Sequence, residues 1–132
     1  MFDVSVLESV QRFFANKIPG CRFLPYQHRL RKLSLHSLLH RRQVADLVFL
    51  HSIMSGRVCL SLSPHLTVIP PSTTRGHNLK VLVPITRYVK SGQNFLSRSA
   101  VSWNKLSNSV LSLSEIQFRK ATTEILNDVY LS

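Results

Sequence analysis

Residues 26–54 read YQHRLRKLSLHSLLHRRQVADLVFLHSIM, and the remaining segments have to cover the helix that this stretch predicts. Its first half is basic. Its second half, from Leu38 to Met54, is the longest run of apolar residues at helical spacing in the chain. A helix that is apolar over much of its circumference must be covered. We therefore expect the segments before and after it to pack against it, in a mainly α-helical fold.

The boundaries of this helix and of its neighbour follow from local signals. Tyr26, Leu30 and Leu33 fall at positions i, i+4 and i+7 and predict a short second helix. Ser34 or Ser37 is expected to cap a third helix, which runs to about residue 55 before the glycine at position 56 closes it.

A first helix is predicted over residues 3–18. Ser5 and Glu8 form the capping-box pattern S-x-x-E, and Pro19-Gly20 follows the last helical residue. The prediction rests on apolar residues that recur every three or four positions: Val6, Leu7, Val10, Phe13, Phe14 and Ile18.

The second half of the chain changes character at residues 61–76, which are rich in Ser, Thr and Pro and are typical of a linker. After this linker, Leu79–Val83 has strand composition and can pair with Thr67–Ile69, which predicts a small β ribbon near residues 67–83. The expected organisation is therefore a helical segment over 1–60, the linker over 61–76, and a strand followed by two helices over 77–132, all within one compact unit.

Two helices are predicted after the ribbon. One spans Phe95–Leu106, with Asn94 as its N-cap. The last begins with the capping box Ser114-x-x-Gln117. Its expected buried stripe consists of Phe118, Ala121, Ile125 and Val129.

Charge is the dominant feature of the composition. The chain has 17 Lys and Arg against 6 Asp and Glu among its 132 residues, a formal net charge of +11. Ser9–Ala45 contains eight basic residues and no acid, and Leu47–Ser114 contains seven basic residues and no acid. Such a field attracts polyanions. Two interpretations stay open at this point: a nucleic-acid partner, or a basic surface without such a partner, either simply solvated or one face of a larger protein whose acidic face is missing.

Residues typical of an active site are missing from the sequence. There is no G-x-S-x-G, no phosphate-binding glycine loop and no pair of neighbouring carboxylates that could act as acid and base. His36 and His40 have the i, i+4 spacing of a metal half-site. No further ligand lies near them in the sequence, which favours solvated or capping histidines. We expect no metal, no cofactor, no small-molecule substrate and no membrane span.

The cysteines and most of the aromatic residues are interpreted as structural. Cys21 and Cys59 stand in no motif, which is typical of reduced thiols in an intracellular protein. Tyr26 and Tyr88 lie beside arginines and could stack on bases, although a buried ring with a hydrogen-bonded hydroxyl is favoured. The other aromatic side chains on helical apolar faces are expected in the core: Phe13, Phe14, Phe49, Phe95, Trp103 and Phe118.

Five segments resemble, in order, the region that follows the catalytic core in reverse transcriptases of non-LTR retrotransposons of the jockey-like group. They are LE-x-VQR-x-F at 7–14, Y-x-x-RL-x-x-L-x-L-x-SL at 26–38, RR-x-x-x-DL at 41–47, RGHNL at 75–79, and NF-x-x-R-x-x-x-x-WN-x-L at 94–106. The last helix, with Phe118 and Lys120, is similar to that family's closing segment. Ser107 departs from the pattern, since the family usually has proline there.

The resemblance implies the helical C-terminal module of an RNA-directed DNA polymerase. The family's catalytic aspartates belong to a core upstream of the first matching segment, and no position here matches one. It therefore implies a chain that is not an enzyme by itself and that helps to hold RNA or DNA, sequence-tolerantly, beside the polymerase domain. Two alternatives stay open: a protein-interaction module that docks on an acidic partner or on the polymerase domain, and a relic of a truncated element.

Two sets of residues are candidates for function. Nucleic-acid contacts are expected from the basic residues Arg29, Arg31, Lys32, Arg41, Arg42, Arg75, Lys80, Arg87 and Lys90. Structural roles are expected for Tyr26, Asp46, Trp103 and Asn104.

Overall fold

The computed structural model describes residues 4–58, 68–69, 79–82, 95–128 and 131. This part of the chain is mainly α-helical, as predicted. Its helices are α1 (Val4–Lys17), α2 (Tyr26–Lys32), α3 (Leu38–Met54), α4 (Phe95–Asn104), α5 (Asn108–Leu111) and α6 (Glu115–Ile125).

The chain divides into two compact units. Unit 1 comprises Met1–Val44 and Thr123–Ser132, and unit 2 comprises Ala45–Thr122. The division expected from the sequence, at residues 61–76, stays a prediction, because most of that segment lies outside the described residues.

In unit 1, α1 turns a polar face inward. Glu8 is fully buried and Ala15 is 3% exposed, whereas Phe13 and Phe14 are 58% and 64% exposed. The prediction that these two rings belong to the core is therefore wrong. The reason is the Glu8 carboxylate, which binds groups on neighbouring elements and so orients the helix. Ser5 lies within the first turn of α1, not at its cap.

A left-handed residue ends α2. Ser34 has φ +54, and its N–H donates to Arg31 O at 3.1 Å while the N–H of Leu35 donates to Leu30 O at 2.9 Å. These two bonds form a Schellman motif, in which the αL position is usually glycine. The chain then turns directly into α3.

The predicted caps of α3 are confirmed. Ser37 is the N-cap, and its Oγ accepts the N–H of His40 at 3.1 Å. At the other end Gly56 has φ +73 and donates its N–H to Ile53 O at 3.1 Å, while the next amide donates to Ser52 O at 3.0 Å. This is a second Schellman motif, here with the expected glycine.

In unit 2, the side chains at the end of α4 hold an extended segment. Trp103 Nε1 donates to Leu79 O at 2.8 Å. The Asn104 amide makes two bonds with Val81, because Oδ1 accepts its N–H and Nδ2 donates to its carbonyl, each at 2.8 Å. Residues 79–81 are thus bound by side chains of a helix.

The predicted β ribbon is wrong over the residues that the structure describes. They contain one isolated antiparallel bridge between Val68 and Val81, supported by a 2.8 Å bond from Ile69 N–H to Lys80 O. Since Asn104 takes both backbone groups of Val81, no further strand can pair at that edge.

The core of unit 2 forms around Trp103 and Phe118, both fully buried as expected. On α6, Phe118 shares the buried face with Thr122, whose hydroxyl donates to Phe118 O at 2.9 Å and so needs no other partner. The expected stripe is therefore displaced, and Ile125 is 54% exposed. Phe49 is also 42% exposed, contrary to prediction, and packs edge-on against Phe95.

Two features of this region differ from the expectation in other ways. The helix predicted to reach Leu106 ends at Asn104, and the short helix α5 was not predicted. Asn94 and Val129 lie outside the described residues.

Candidate functional site

The basic residues at the end of α2 use part of their donors inside unit 1. Arg29 donates from Nε to Leu24 O and from Nη1 to Arg12 O, both at 2.9 Å. Arg31 Nη2 donates to Leu131 O at 2.7 Å. A guanidinium carries five N–H donors, so both side chains keep donors for an external acceptor.

The next three cations continue the same cluster. Lys32 Nζ donates to Gly20 O at 2.9 Å, and Arg41 Nη2 donates to the side-chain oxygen of Gln11. Arg42 makes no side-chain hydrogen bond or ion pair with another described residue. We call these five residues of α2 and α3, Arg29, Arg31, Lys32, Arg41 and Arg42, the basic cluster.

The charge of the basic cluster is not neutralised by the acidic residues that the structure describes in unit 1. None of its five members forms an ion pair with a described carboxylate. The two buried acids of the unit bind other groups: Glu8 accepts the Tyr26 hydroxyl and the N–H groups of Leu38 (3.0 Å) and Leu39 (3.3 Å). Asp128 is bound mainly by Ser37, as described below. The carbonyl partners of the arginines and the lysine carry no net charge, so the positive field remains.

Tyr26 is a buried structural residue of this region. It is 9% exposed, its hydroxyl donates to Glu8, and it accepts a 3.0 Å bond from Gln11 Nε2. Burial, with the Glu8 hydrogen bond, raises the pKa of Tyr26 to about 12. The guanidinium carbons of Arg12 and Arg29 lie 4.8 Å and 5.8 Å from its ring centroid. The ring therefore contacts cations and is not open to a base.

Asp46, expected to be structural, forms an ion pair in unit 2. Its carboxylate accepts Nε and Nη2 of Arg98 at 2.5 Å and 3.0 Å. The hydrogen bond to Asp46 raises the pKa of Arg98. Arg98 is thus neutralised, unlike the basic cluster.

The rest of the basic set predicted from the sequence falls in the second half of the chain. Lys80 lies on the extended segment, half-buried, and its carbonyl accepts the Ile69 N–H. Arg75, Arg87 and Lys90 lie outside the described residues, as does Tyr88.

His51 forms a polar centre in unit 2. It is 3% exposed and stacks on Phe118, with ring centroids 4.1 Å apart. Its Nε2 donates to Leu111 O at 3.1 Å, and its Nδ1 accepts from Arg57 Nη2 at 2.7 Å. Burial lowers the pKa of His51, and the nearby Arg57 cation acts in the same direction. The ring is therefore a neutral connector within the core.

A second histidine cluster lies in unit 1. His36, which precedes α3, stacks on His40 of its first turn with centroids 4.3 Å apart. His36 Nδ1 lies 3.5 Å from Asp128 Oδ2, without the geometry of a hydrogen bond. One ligand atom from each of these three residues lies within 4.8 Å of the other two.

Sequence reasoning identified the two histidines but not their acidic neighbour. Asp128 comes from the end of the chain, and its Oδ1 and Oδ2 accept the hydroxyl (2.7 Å) and the N–H (2.8 Å) of Ser37. Nothing local marks this residue as a ligand. Glu8 was likewise assigned to a cap of its own helix, whereas it caps α3.

Comparison with protein-family models, with curated proteins and with solved structures found no match. Among the described residues, no helix has the length and apolar character needed to cross a bilayer.

Proposed function

We propose that this chain is a non-catalytic nucleic-acid-binding module related to the C-terminal region of a non-LTR, jockey-like retrotransposon reverse transcriptase. It holds RNA or DNA through the basic cluster, in support of target-primed reverse transcription. The ordered sequence segments support the family, and the uncompensated charge of the basic cluster carries the binding.

Contacts to phosphates fit the basic cluster better than contacts to bases. Neutralising phosphates with Lys and Arg releases counterions and is independent of sequence. The aromatic ring beside the basic cluster, Tyr26, is buried and contacted by Arg12 and Arg29, so it offers no stacking face. Binding is therefore expected to be sequence-tolerant.

A salt titration tests the proposal. If all five cations contact phosphates of a duplex, a plot of log affinity against log salt falls with a slope of about −4.5, and of about −3.5 for a single strand. The double variant Arg41→Gln/Arg42→Gln is expected to reduce the duplex slope by about 1.8. Thermal unfolding of the same variant checks that the loss of the Arg41–Gln11 bond leaves the fold intact.

A matched control removes the same net charge elsewhere. Lys105 and Lys120 are exposed residues of unit 2, and Lys105→Gln/Lys120→Gln is expected to leave the slope nearly unchanged. A flat salt dependence, or equal effects of the two double variants, would refute binding by the basic cluster. Primer extension by the isolated chain would contradict the non-catalytic assignment.

The alternative function, docking on a protein, is favoured by the outer face of α1. This face exposes a stripe of large apolar side chains, each between 42% and 64% exposed: Val6, Leu7, Val10, Phe13 and Phe14. Contiguous apolar surface of this kind marks interaction sites. The polymerase core implied by the resemblance is the partner to try first.

The two functions give different results in one comparison. If α1 docks on the polymerase core, adding a core from a related element raises the unfolding midpoint more than a saturating oligonucleotide does, and Phe13→Ser/Phe14→Ser removes that rise. Phe23→Ser is the control, because Phe23 is 93% exposed and lies outside α1. A rise with the oligonucleotide alone supports the nucleic-acid module instead.

A further inference from the structure

The histidine cluster of unit 1 contains two buried nitrogen atoms without partners. Nδ1 of His36 and Nδ1 of His40 are each buried and make no hydrogen bond to a residue that the structure describes. His40 is 2% exposed, so water cannot readily form a hydrogen bond with its ring. A buried polar atom without a hydrogen-bond partner is destabilising, so two of them in one cluster call for an explanation.

The tautomer of His40 follows from its other nitrogen. Nε2 lies 3.1 Å from Thr123 O and 3.0 Å from Leu126 O. Carbonyl oxygens only accept, so Nε2 carries the hydrogen. In the neutral ring Nδ1 then presents a lone pair. An N–H···O=C bond on the distal nitrogen is the arrangement that orients metal-binding histidines.

The carboxylate of Asp128 is held in the same way. Ser37 donates to both of its oxygens, and the Ser37 hydroxyl in turn accepts the N–H of His40. The segment that carries Asp128 is anchored again at Leu131 O by Arg31. The three side chains are therefore positioned by bonds that do not use the two free nitrogen atoms.

We propose that His36, His40 and Asp128 bind a divalent transition-metal ion of the Zn²⁺ class, through the two Nδ1 atoms and a carboxylate oxygen. Ligands of a tetrahedral ion, at about 2.0–2.1 Å from it, lie roughly 3.4 Å apart. The distance of 3.5 Å between His36 Nδ1 and Asp128 Oδ2 is long for a hydrogen bond and is close to this ligand–ligand distance. Two imidazoles with one carboxylate suit Zn²⁺, Co²⁺, Ni²⁺ or Cu²⁺ better than Ca²⁺ or Mg²⁺, which take oxygen ligands.

The remaining coordination position faces a cleft. His36 and Asp128 line a cavity of ≈ 370 Å³ together with Glu124. The cleft gives the ion a path of entry and leaves room for a water molecule or the Glu124 carboxylate as fourth ligand. The bound ion joins the start of α3 to the segment after α6, so it stabilises unit 1.

Metal binding to the full chain is the test. After treatment with a chelator, the chain is titrated with Zn²⁺ and with Co²⁺. We expect one equivalent of either ion to bind, the strong visible absorption of four-coordinate Co²⁺, and a Zn²⁺-dependent rise of the unfolding midpoint that a chelator reverses. His36→Gln is expected to weaken binding by about two orders of magnitude or more, since loss of an outer-shell partner alone costs 10–100-fold.

His28→Gln is the matched control, because it removes an exposed histidine from the same unit; it should bind as the unsubstituted chain does. Histidine ring resonances of the unsubstituted chain provide a readout that needs no variant, with Zn²⁺ shifting Nδ1 of His36 and His40. If the cluster is only an ion pair between His36 and Asp128, no Co²⁺ absorption and no ring shifts appear, and the proposal fails. It also fails if His36→Gln and His28→Gln bind the metal equally well.

Discussion

The two hydrogen bonds between the Asn104 amide and the Val81 backbone can be tested by two substitutions of Asn104. Asn104→Leu keeps the approximate side-chain volume but removes both hydrogen bonds. Val81 is 1% exposed, so its N–H and its carbonyl are left buried without partners. At about 1–3 kcal/mol for each group, the free energy of unfolding is expected to fall by roughly 2–6 kcal/mol.

Asn104→Asp separates the two bonds. The new carboxylate still accepts the Val81 N–H, but its second oxygen faces the Val81 carbonyl oxygen, which the amide contacted at 2.8 Å. When protonated, the carboxyl group can donate there again. Its pKa in the folded state is therefore raised above the unfolded value of about 3.9. The destabilisation relative to the unsubstituted chain should be complete near pH 7, decrease as the pH falls through the folded-state pKa, and be least below the unfolded pKa.

Trp103, the single tryptophan, reports this region directly. It is fully buried one position before Asn104, so urea unfolding followed by its emission measures the free energy of unfolding of unit 2 at each pH. Gln117→Glu is the control, because it makes the same chemical change at an exposed site of the unit. The role of these hydrogen bonds would be refuted if Asn104→Leu lowered the free energy of unfolding by less than about 0.5 kcal/mol. It would also be refuted if Asn104→Asp lowered it equally at pH 4 and pH 7.

Three further outcomes are expected. Ser34→Gly should raise the free energy of unfolding by about 1 kcal/mol, because glycine adopts the left-handed conformation of this position without strain. Gly56→Ala should lower it by a similar amount for the same backbone reason, since its Cβ would meet nothing within 4 Å. Thermal unfolding measures both changes, and changes of the same sign would contradict the backbone argument. Glu8→Ala should lower the free energy of unfolding by about 3 kcal/mol. Glu8→Gln should lower it by less, since the amide oxygen can still accept the N–H groups at the start of α3. Equal losses in urea titrations would show that the carboxylate does not cap α3. Because burial lowers the pKa of His51 in the folded state, the unfolded state binds more protons as the pH falls towards and below about 6.5, the unfolded value. The free energy of unfolding should therefore decrease as the pH falls from 7.5 to 5.5, and His51→Gln should remove this decrease in the Trp103 signal.

Helix positions were predictable because their signals are local. Ser37 and Gly56 each act on the backbone within a few residues, so the ends of α3 could be read from the sequence. The inward face of α1 could not. Its spacing marks Phe13 and Phe14 as one side of a helix, but the burial of the other side depends on hydrogen bonds that Glu8 accepts from Leu38 and Leu39, 30 and 31 positions away.

In the candidate sites too, local residue patterns were predictable from the sequence, whereas partners distant in the sequence were not. A cluster of arginines is visible in the sequence, but the carbonyl partners of Arg29 and Arg31 are set by tertiary structure. His36 and His40 are visible as a pair, and Asp128 joins them only when the chain folds back on itself. Strand composition around Val81 likewise cannot reveal that the side-chain amide of Asn104 binds both backbone groups of this residue.

The bonds between Ser37 and Asp128 join residues 91 positions apart, and this separation sets an order of events during synthesis. At roughly 5–20 residues per second, a ribosome needs about 5–18 s to make the intervening chain. Throughout that time the hydroxyl and amide of Ser37 lack their carboxylate, while the residues of unit 2 are completed one after another. The contact between Ser37 and Asp128 in unit 1 therefore cannot form until every residue of unit 2 has been synthesised.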